Sequence, residues 1–311
     1  MTYAPKILQF ESESEWLELR KHDITSTEIA ALFGVSPYAT RFEVCNEKAG
    51  RLDSVWNDNT RMTWGRRLEP IIAAGLAEDH GLTIAPLKNY MRHGTVRRMG
   101  SSFDFEVIDP ARPDLEVGVF EIKNVDSLIF RQQWSKEGDV IEAPVHIELQ
   151  IQHQLAVSGR KWAALGVLIG GNEAKLIRRE RDEDAIAAIE SEVAAFWDSI
   201  DAGDMPEPDF TRDLDTLKDL YRRSESVPLP DEDRAVLAQL LPQFEAAKAA
   251  EKAAKEARDE LQARVLAALK TVESATVGEF RLSAKTSTRK GYTAQDSETR
   301  TLRITKAKAA S

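Results

Sequence analysis

The stretch that decides the fold is Val117-Gly118-Val119-Phe120-Glu121-Ile122-Lys123. Its apolar residues are β-branched or aromatic, and Glu121 and Lys123 stand two apart. On a strand, side chains two apart share a face, so Glu121 and Lys123 project together while Phe120 and Ile122 project the other way, into a core. A carboxylate and an ammonium on a half-buried strand need compensation, because burying charge is costly. Two readings are open: an ion pair on a strand surface, or a metal-binding Glu121 with Lys123 stabilising charge on a reacting phosphate.

One hairpin upstream lies Gly100-Ser101-Ser102-Phe103-Asp104-Phe105-Glu106. Asp104 falls in a strand–turn context, and two carboxylates from adjacent strands suit a hard cation such as Mg²⁺ or Mn²⁺. Read alone, Asp104 is equally a turn-forming aspartate. Trp64-Gly65-Arg66-Arg67-Leu68-Glu69-Pro70 places Glu69 on a helix. Glu148–Gly159 carries Gln150, Gln152 and Gln154, of which Gln150 and Gln154 are i,i+4 and share a helix face.

Around these elements the pattern is mixed. Two helices are expected over 12–34, the second opening at Thr25-Ser26-Thr27 and closing at Gly34, with others over about 40–49 and 62–80. Short β runs follow at Leu82–Ala85, Arg97–Met99, Phe103–Ile108 and Gly118–Lys123, with a hairpin loop at 110–113. Then come a helix over 146–158, a buried strand at Trp162–Ile169, a short strand at Leu176–Arg179 and a helix over 183–201. The fold class is α/β around a central sheet.

Beyond about 205 the composition changes. Pro206, Pro208, Pro228 and Pro230 mark a linker over 206–231. Residues 232–271, rich in Ala, Lys and Glu, read as one long helix or a helical hairpin, and the basic segment 281–293 has β character. The expected domains are 1–205, a linker at 206–231, and 232–311.

Composition limits the function classes. A single cysteine, Cys45, excludes a disulfide framework within the chain and a cysteine-held metal cluster. No apolar run approaches the roughly 20 residues of a membrane helix, and the N-terminus lacks the apolar core of a signal peptide, so a cytoplasmic location is expected. The net charge of −10 disfavours a non-specific DNA coat but leaves a local phosphate-handling site open. His22, His80, His93 and His146 show no ligand spacing, and His153, on the glutamine-rich helix, reads as facing the site or as a core or surface residue.

Five elements in order resemble the YqaJ-like viral recombinases, relatives of phage lambda exonuclease in the PD-(D/E)XK nuclease superfamily. They are Leu19-Arg20 with Ile24–Ala30, the Trp64…Glu69 element, Asp104, Glu121-Ile122-Lys123, and Gln150–Gly159. The resemblance spans about residues 10–200. It implies a restriction-endonuclease-like core, a mixed central sheet flanked by helices, with a helical C-terminal extension. It further implies metal binding by Glu69, Asp104, Glu121 and the Ile122 backbone, with Asp104, Glu121, Lys123 and Gln150 as the catalytic set. Arg20 and Thr27 are implied as the 5′-phosphate pocket.

The implied activity is Mg²⁺-dependent (or Mn²⁺-dependent) hydrolysis of duplex DNA with two ions, 5′ to 3′ from phosphorylated ends. Implied partners are double-stranded DNA, a single-strand annealing protein and copies of the chain itself in a trimer. The chain departs from the family in carrying Thr27 where serine is usual and Phe105 where glycine is usual. A different PD-(D/E)XK endonuclease and a non-catalytic DNA-binding or assembly module are the alternatives.

Overall fold

The computed structural model describes residues 3–52, 59–137, 140–223 and 227–286. The chain divides into two compact units, Met1–Tyr221 and Arg222–Ser311.

The first unit opens with β1 (Lys6–Leu8), α1 (Glu13–Lys21), α2 (Ile29–Leu32) and α3 (Arg41–Lys48). The Ser12 hydroxyl caps α1 by accepting the Glu15 amide at 3.2 Å, and acidic residues in the first turn and basic ones in the last match the helix dipole. Next is α4 (Thr60–His80), capped by Asn59 and ended by Gly81 in the left-handed region at φ +64°. Then follow β2 (Thr83–Pro86), β3 (Tyr90–Arg92), β4 (Gly100–Ser102), β5 (Phe105–Ile108) and β6 (Gly118–Val125). After α5 (Ser127–Gln133) and the hairpin β7 (Ser135–Glu137) and β8 (Val140–Glu142) come α6 (Val145–Ser158), β9 (Trp162–Ile169), β10 (Glu173–Glu180), α7 (Glu183–Ala202) and α8 (Leu214–Leu220).

The central sheet has the strand order β10-β9-β6-β5-β2. Only β6 and β9 pair in parallel, Glu121 opposite Leu165 and Ile122 opposite Gly166; the other neighbours are antiparallel. A parallel pair needs a crossover, and α6 lies within it in sequence. Side-chain alternation sorts the two faces. Phe120, Ile122, Phe105 and Ala164 pack with Ile72, Ala73 and Leu76 of α4. Val119, Ala163, Leu165 and Val167 pack in the other core with Ile151 and Leu155 of α6 and Ile189 and Phe196 of α7. This bears out the expected class, α/β with a central mixed sheet flanked by helices.

Several local expectations are corrected. Arg97–Met99 is a turn in which Arg98 takes φ +55°, and the strand is Gly100–Ser102. The expected strand Phe103–Ile108 begins only at Phe105, because the chain passes at Phe103-Asp104 from the three-stranded sheet β1-β3-β4 to the central one. The second early helix is confined to Ile29–Leu32. Thr25 does not cap it; its hydroxyl and amide instead bind the Glu28 carboxylate at 2.7 and 2.9 Å. The stretch read as linker contains α8, and Asp213 just before it is buried and accepts from the Thr40 hydroxyl at 2.6 Å.

The second unit holds α9 (Asp231–Leu269), a single helix with Pro242 inside it, and an antiparallel hairpin of β11 (Ser274–Val277) and β12 (Phe280–Ser283). Of the basic segment 281–293, residues 287–293 lie outside the described residues. Among the described residues no helix is long and apolar enough to cross a membrane.

Candidate active site

Strand β6 delivers Glu121 to the face covered by α6. There it is buried, 3% exposed. Three donors converge on its carboxylate: Gln150 Nε2 at 2.6 Å, Gln154 Nε2 at 2.7 Å and the Lys123 ammonium. The two amides are one helical turn apart and reach the same carboxylate, as their i,i+4 spacing allows. Such neutral donors satisfy a buried anion without adding net charge to the site.

Asp104 stands across from Glu121. The antiparallel register pairs Phe105 with Phe120, so the next step places Asp104 beside Glu121. Asp104 Oδ2 accepts the Ile122 amide at 2.8 Å, which fixes its side chain against β6. Like charges directly opposed on neighbouring strands repel. Burial, with the charges of Glu121 and Glu69 adding to it, holds the Asp104 carboxyl well above the usual range against the opposing pull of Lys123 and the Ile122 amide. Glu69, half-buried on α4, is raised by burial and then by Glu121. For Lys123, burial works against the charge, but Glu121 and Asp104 outweigh it and the ammonium is held above its ordinary value.

Whether these residues suit a metal can be judged from their chemistry. Among the described residues no three His, Cys, Asp or Glu side chains come together as a ligand group. Glu121 is turned toward its amides and lysine, and Asp104 toward the Ile122 amide. The donors are nevertheless the oxygens that a hard cation takes. The three carboxylates repel one another while Lys123, and for Glu69 also Arg66, pull the other way, a crowding of negative charge that a divalent ion would relieve. Gln154 also keeps a buried oxygen, Oε1, without a hydrogen-bond partner among the described residues. The set fits a divalent metal in donor type and in charge.

Arg20 and Thr27 come together as the sequence implies: Arg20 Nη2 donates to the Thr27 hydroxyl at 3.1 Å, and the guanidinium lies over the Trp16 ring, 4.6 Å from its centroid. Thr25 bridges to Thr27 at 3.2 Å. Glu28 also enters this cluster, paired with Lys48 at 2.8 Å. Its burial opposes ionisation, yet Lys48 and Arg20 prevail and hold its carboxyl below the ordinary value. Trp16 Nε1 donates to Ser102 Oγ at 2.6 Å, and the Ser102 carbonyl is 3.5 Å from Gln154 Nε2. A chain of polar contacts thus joins the Arg20 cluster to Glu121.

Sequence reasoning did not single out Gln154 as a site residue, although its i,i+4 relation to Gln150 carried the signal. Gln152, between them, points elsewhere. It donates to the Glu180 carbonyl and accepts the Asp182 amide, tying β10 to the start of α7. His153 is fully buried, bonds the Gly100 carbonyl at 3.0 Å and is pushed by burial down to about 4, so it is a neutral core residue.

Two carboxylates facing each other across β6 and the turn ahead of β5, a strand lysine and a helical amide pair thus meet on an α/β core. Residues 15–161 match the family model of the YqaJ-like viral recombinase domain, so the resemblance read from the sequence holds over that span. The chain is 26% identical over 219 residues to protein YqaJ of Bacillus subtilis (strain 168), itself uncharacterized; the match covers 69% of this chain and 65% of that protein. Among solved structures, the alkaline exonuclease LHK-Exo of Laribacter hongkongensis aligns with a TM-score of 0.47 at 23% identity, over 66% of this chain and 99% of that one. LHK-Exo in complex with dAMP aligns at 0.46 and 22%, over 61% and 93%.

Proposed function

We propose that the protein is a metal-dependent deoxyribonuclease, an exonuclease of the recombination type acting on duplex DNA. The observation that carries the reading is the convergence of Asp104, Glu121, Lys123 and Gln150, with Asp104, just ahead of β5, held against β6 by the Ile122 amide. Asp104, Glu121, the Ile122 carbonyl and Glu69 would hold Mg²⁺, or Mn²⁺ in its place, as a pair of ions. When bound, such ions lower the pKa of a water and stabilise the attacking and leaving oxygens of a phosphodiester.

The chain's own residues do the rest. Lys123, kept protonated by Glu121 and Asp104, is a positive charge for the phosphate rather than a base. Gln150 and Gln154 orient Glu121. Arg20 and Thr27 take the 5′-phosphate of the end, since a guanidinium pairs bidentately with phosphate, and this supports 5′ to 3′ digestion. The family match supports a recombination role; the resemblance read from the sequence adds a single-strand annealing protein and self-assembly as a trimer, and the composition a cytoplasmic setting. Residues 1–205 would form the nuclease domain, joined by α8 and the buried Asp213 from the stretch expected as linker (206–231), and 232–311 would form the extension.

The test compares linear with covalently closed duplex in Mg²⁺, alongside Glu121→Ala. Mononucleotides released from linear DNA alone, and lost in the variant, support the reading. Nicking of circles would replace it with an endonuclease, and intact DNA in both Mg²⁺ and Mn²⁺ would leave a non-catalytic module.

A further inference from the structure

The chain presents a second aromatic feature beside the site that the hydrolysis does not use. Tyr38 is 80% exposed, yet its backbone is fixed. Ser36 Oγ accepts the amides of Tyr38 and Ala39 at 3.1 and 3.2 Å, and Arg212 donates to the Ser36 carbonyl at 2.9 Å. Pro37 restricts the loop further. The ring stands edge-to-face against His146, centroids 5.8 Å apart with an 86° interplanar angle. An exposed aromatic on an anchored loop is a preformed contact surface that loses little freedom on binding.

Its position follows from α6. His146, Gln150 and Gln154 are successive i,i+4 residues, so they run along one face. Gln150 and Gln154 bind Glu121, and Gln154 is the end nearer Ser102, Trp16 and Arg20. His146 and Tyr38 therefore lie at the opposite end of the row. Burial, and then Lys123, keeps His146 below its ordinary value, so it supports Tyr38 as a neutral ring. The adjoining groove is lined by Val35, Pro37, Val145 and Arg212.

We propose that Tyr38, propped by His146, is a stacking platform for a nucleobase of the DNA strand: the base immediately 3′ of the scissile phosphate. This rests on the DNA-hydrolase reading. With the 5′-phosphate at Arg20 and Thr27 and the reacting phosphate at Glu121 and Lys123, the terminal nucleotide spans one end of the row. The second nucleotide then falls at the other, against Tyr38. Every base offers a π-face, so the contact is independent of sequence and suits an enzyme that advances along DNA.

The test uses the full chain and linear duplexes carrying 2-aminopurine at the second or the fifth position from the 5′-phosphorylated end, bound in Ca²⁺ without Mg²⁺. Wild type and Tyr38→Phe should quench the second-position probe; Tyr38→Ala should not, and none of the three should differ at the fifth. In Mg²⁺, Tyr38→Ala should raise KM roughly 5- to 100-fold, the range of one base–aromatic stack. An abasic second position should impose the same loss on wild type and none on Tyr38→Ala. Unchanged quenching in Tyr38→Ala, or an abasic penalty as large in that variant as in wild type, overturns the platform while leaving the hydrolase intact. Quenching by a wild-type protein that hydrolyses nothing would sink the hydrolase and keep the platform.

Discussion

Gln154 Nε2 lies 2.7 Å from the buried Glu121 carboxylate, to which it donates. With Gln150 it lets an anion sit under a helix without a compensating charge for each oxygen. Removing one donor strands part of that anion. Gln154→Ala should therefore destabilise the metal-free protein by about 1–3 kcal/mol, the penalty of an unsatisfied buried acceptor, read from urea unfolding in EDTA. Gln154→Glu should cost more at neutral pH, because it sets a carboxylate against a carboxylate. A Gln154→Ala stability equal to wild type in EDTA would show that water reaches Glu121 and that the amide pair does not support it.

Asp104 answers to the opposite logic. Burial and the charges of Glu121 and Glu69 oppose its ionisation, so Asp104→Asn removes a repulsion while its side-chain oxygen can still accept the Ile122 amide. The variant should be at least as stable as wild type in EDTA. It should lose hydrolysis by on the order of 100-fold or more, the scale of one electrostatic catalytic group. Mg²⁺ should raise the melting temperature of wild type, since a ligand that binds only the folded state stabilises it, and should leave Asp104→Asn unmoved. A melting shift of equal size in both proteins would place the cation elsewhere.

Much of this site is legible in the sequence because strand alternation and helix phase are local rules. Glu121 and Lys123 two apart, and Gln150 and Gln154 four apart, declare their faces without knowledge of the rest. The same rules fail where tertiary contacts override them. Arg97–Met99 looks like a strand, but Met99 bridges to Ile24 and the Ile24 amide donates to the Arg98 carbonyl at 2.8 Å, so the chain turns with Arg98 in the left-handed region. Asp104 ends one sheet and begins another, a fact of topology and not of composition. Asp213, in a proline-punctuated stretch that reads as linker, is buried against Thr40, far away in sequence, whose hydroxyl donates to it. Gln152 carries the same chemistry as its neighbours and differs only in which side of α6 it faces.

The pairing of Arg20 with Thr27 at 3.1 Å predicts a preference for ends rather than a change in chemistry. Arg20→Ala should slow degradation of 5′-phosphorylated duplex by roughly 10- to 100-fold, the effect of one lost charged hydrogen bond. Ends bearing a 5′-hydroxyl should be degraded at the wild-type rate. Thr27→Ser should behave as wild type, since the hydroxyl is kept, and Thr27→Val should lose part of the preference. Competition between the two kinds of end in one reaction measures this directly. An equal loss on both would assign Arg20 to folding, where its guanidinium packs over the Trp16 ring at 4.6 Å.

Glu47, half-buried on α3, offers a pH prediction away from the Glu121 cluster. Burial first, then repulsion from Glu28 and Glu43, raises its carboxyl from 4.5 to about 7 despite Lys48. An acid raised on folding holds its proton more tightly when folded. Its contribution is therefore complete below the unfolded value near 4.5 and is lost as pH rises through about 7. Glu47→Gln keeps the neutral shape at every pH. It should match wild type below pH 4.5 and exceed it at pH 8 by roughly 1–3 kcal/mol, after allowance for partial solvation of the carboxylate. Urea unfolding across that window gives the answer: a constant difference at all pH values would mean that Glu47 ionises as freely in the folded chain as in the unfolded one, and that Lys48 has already offset its neighbours.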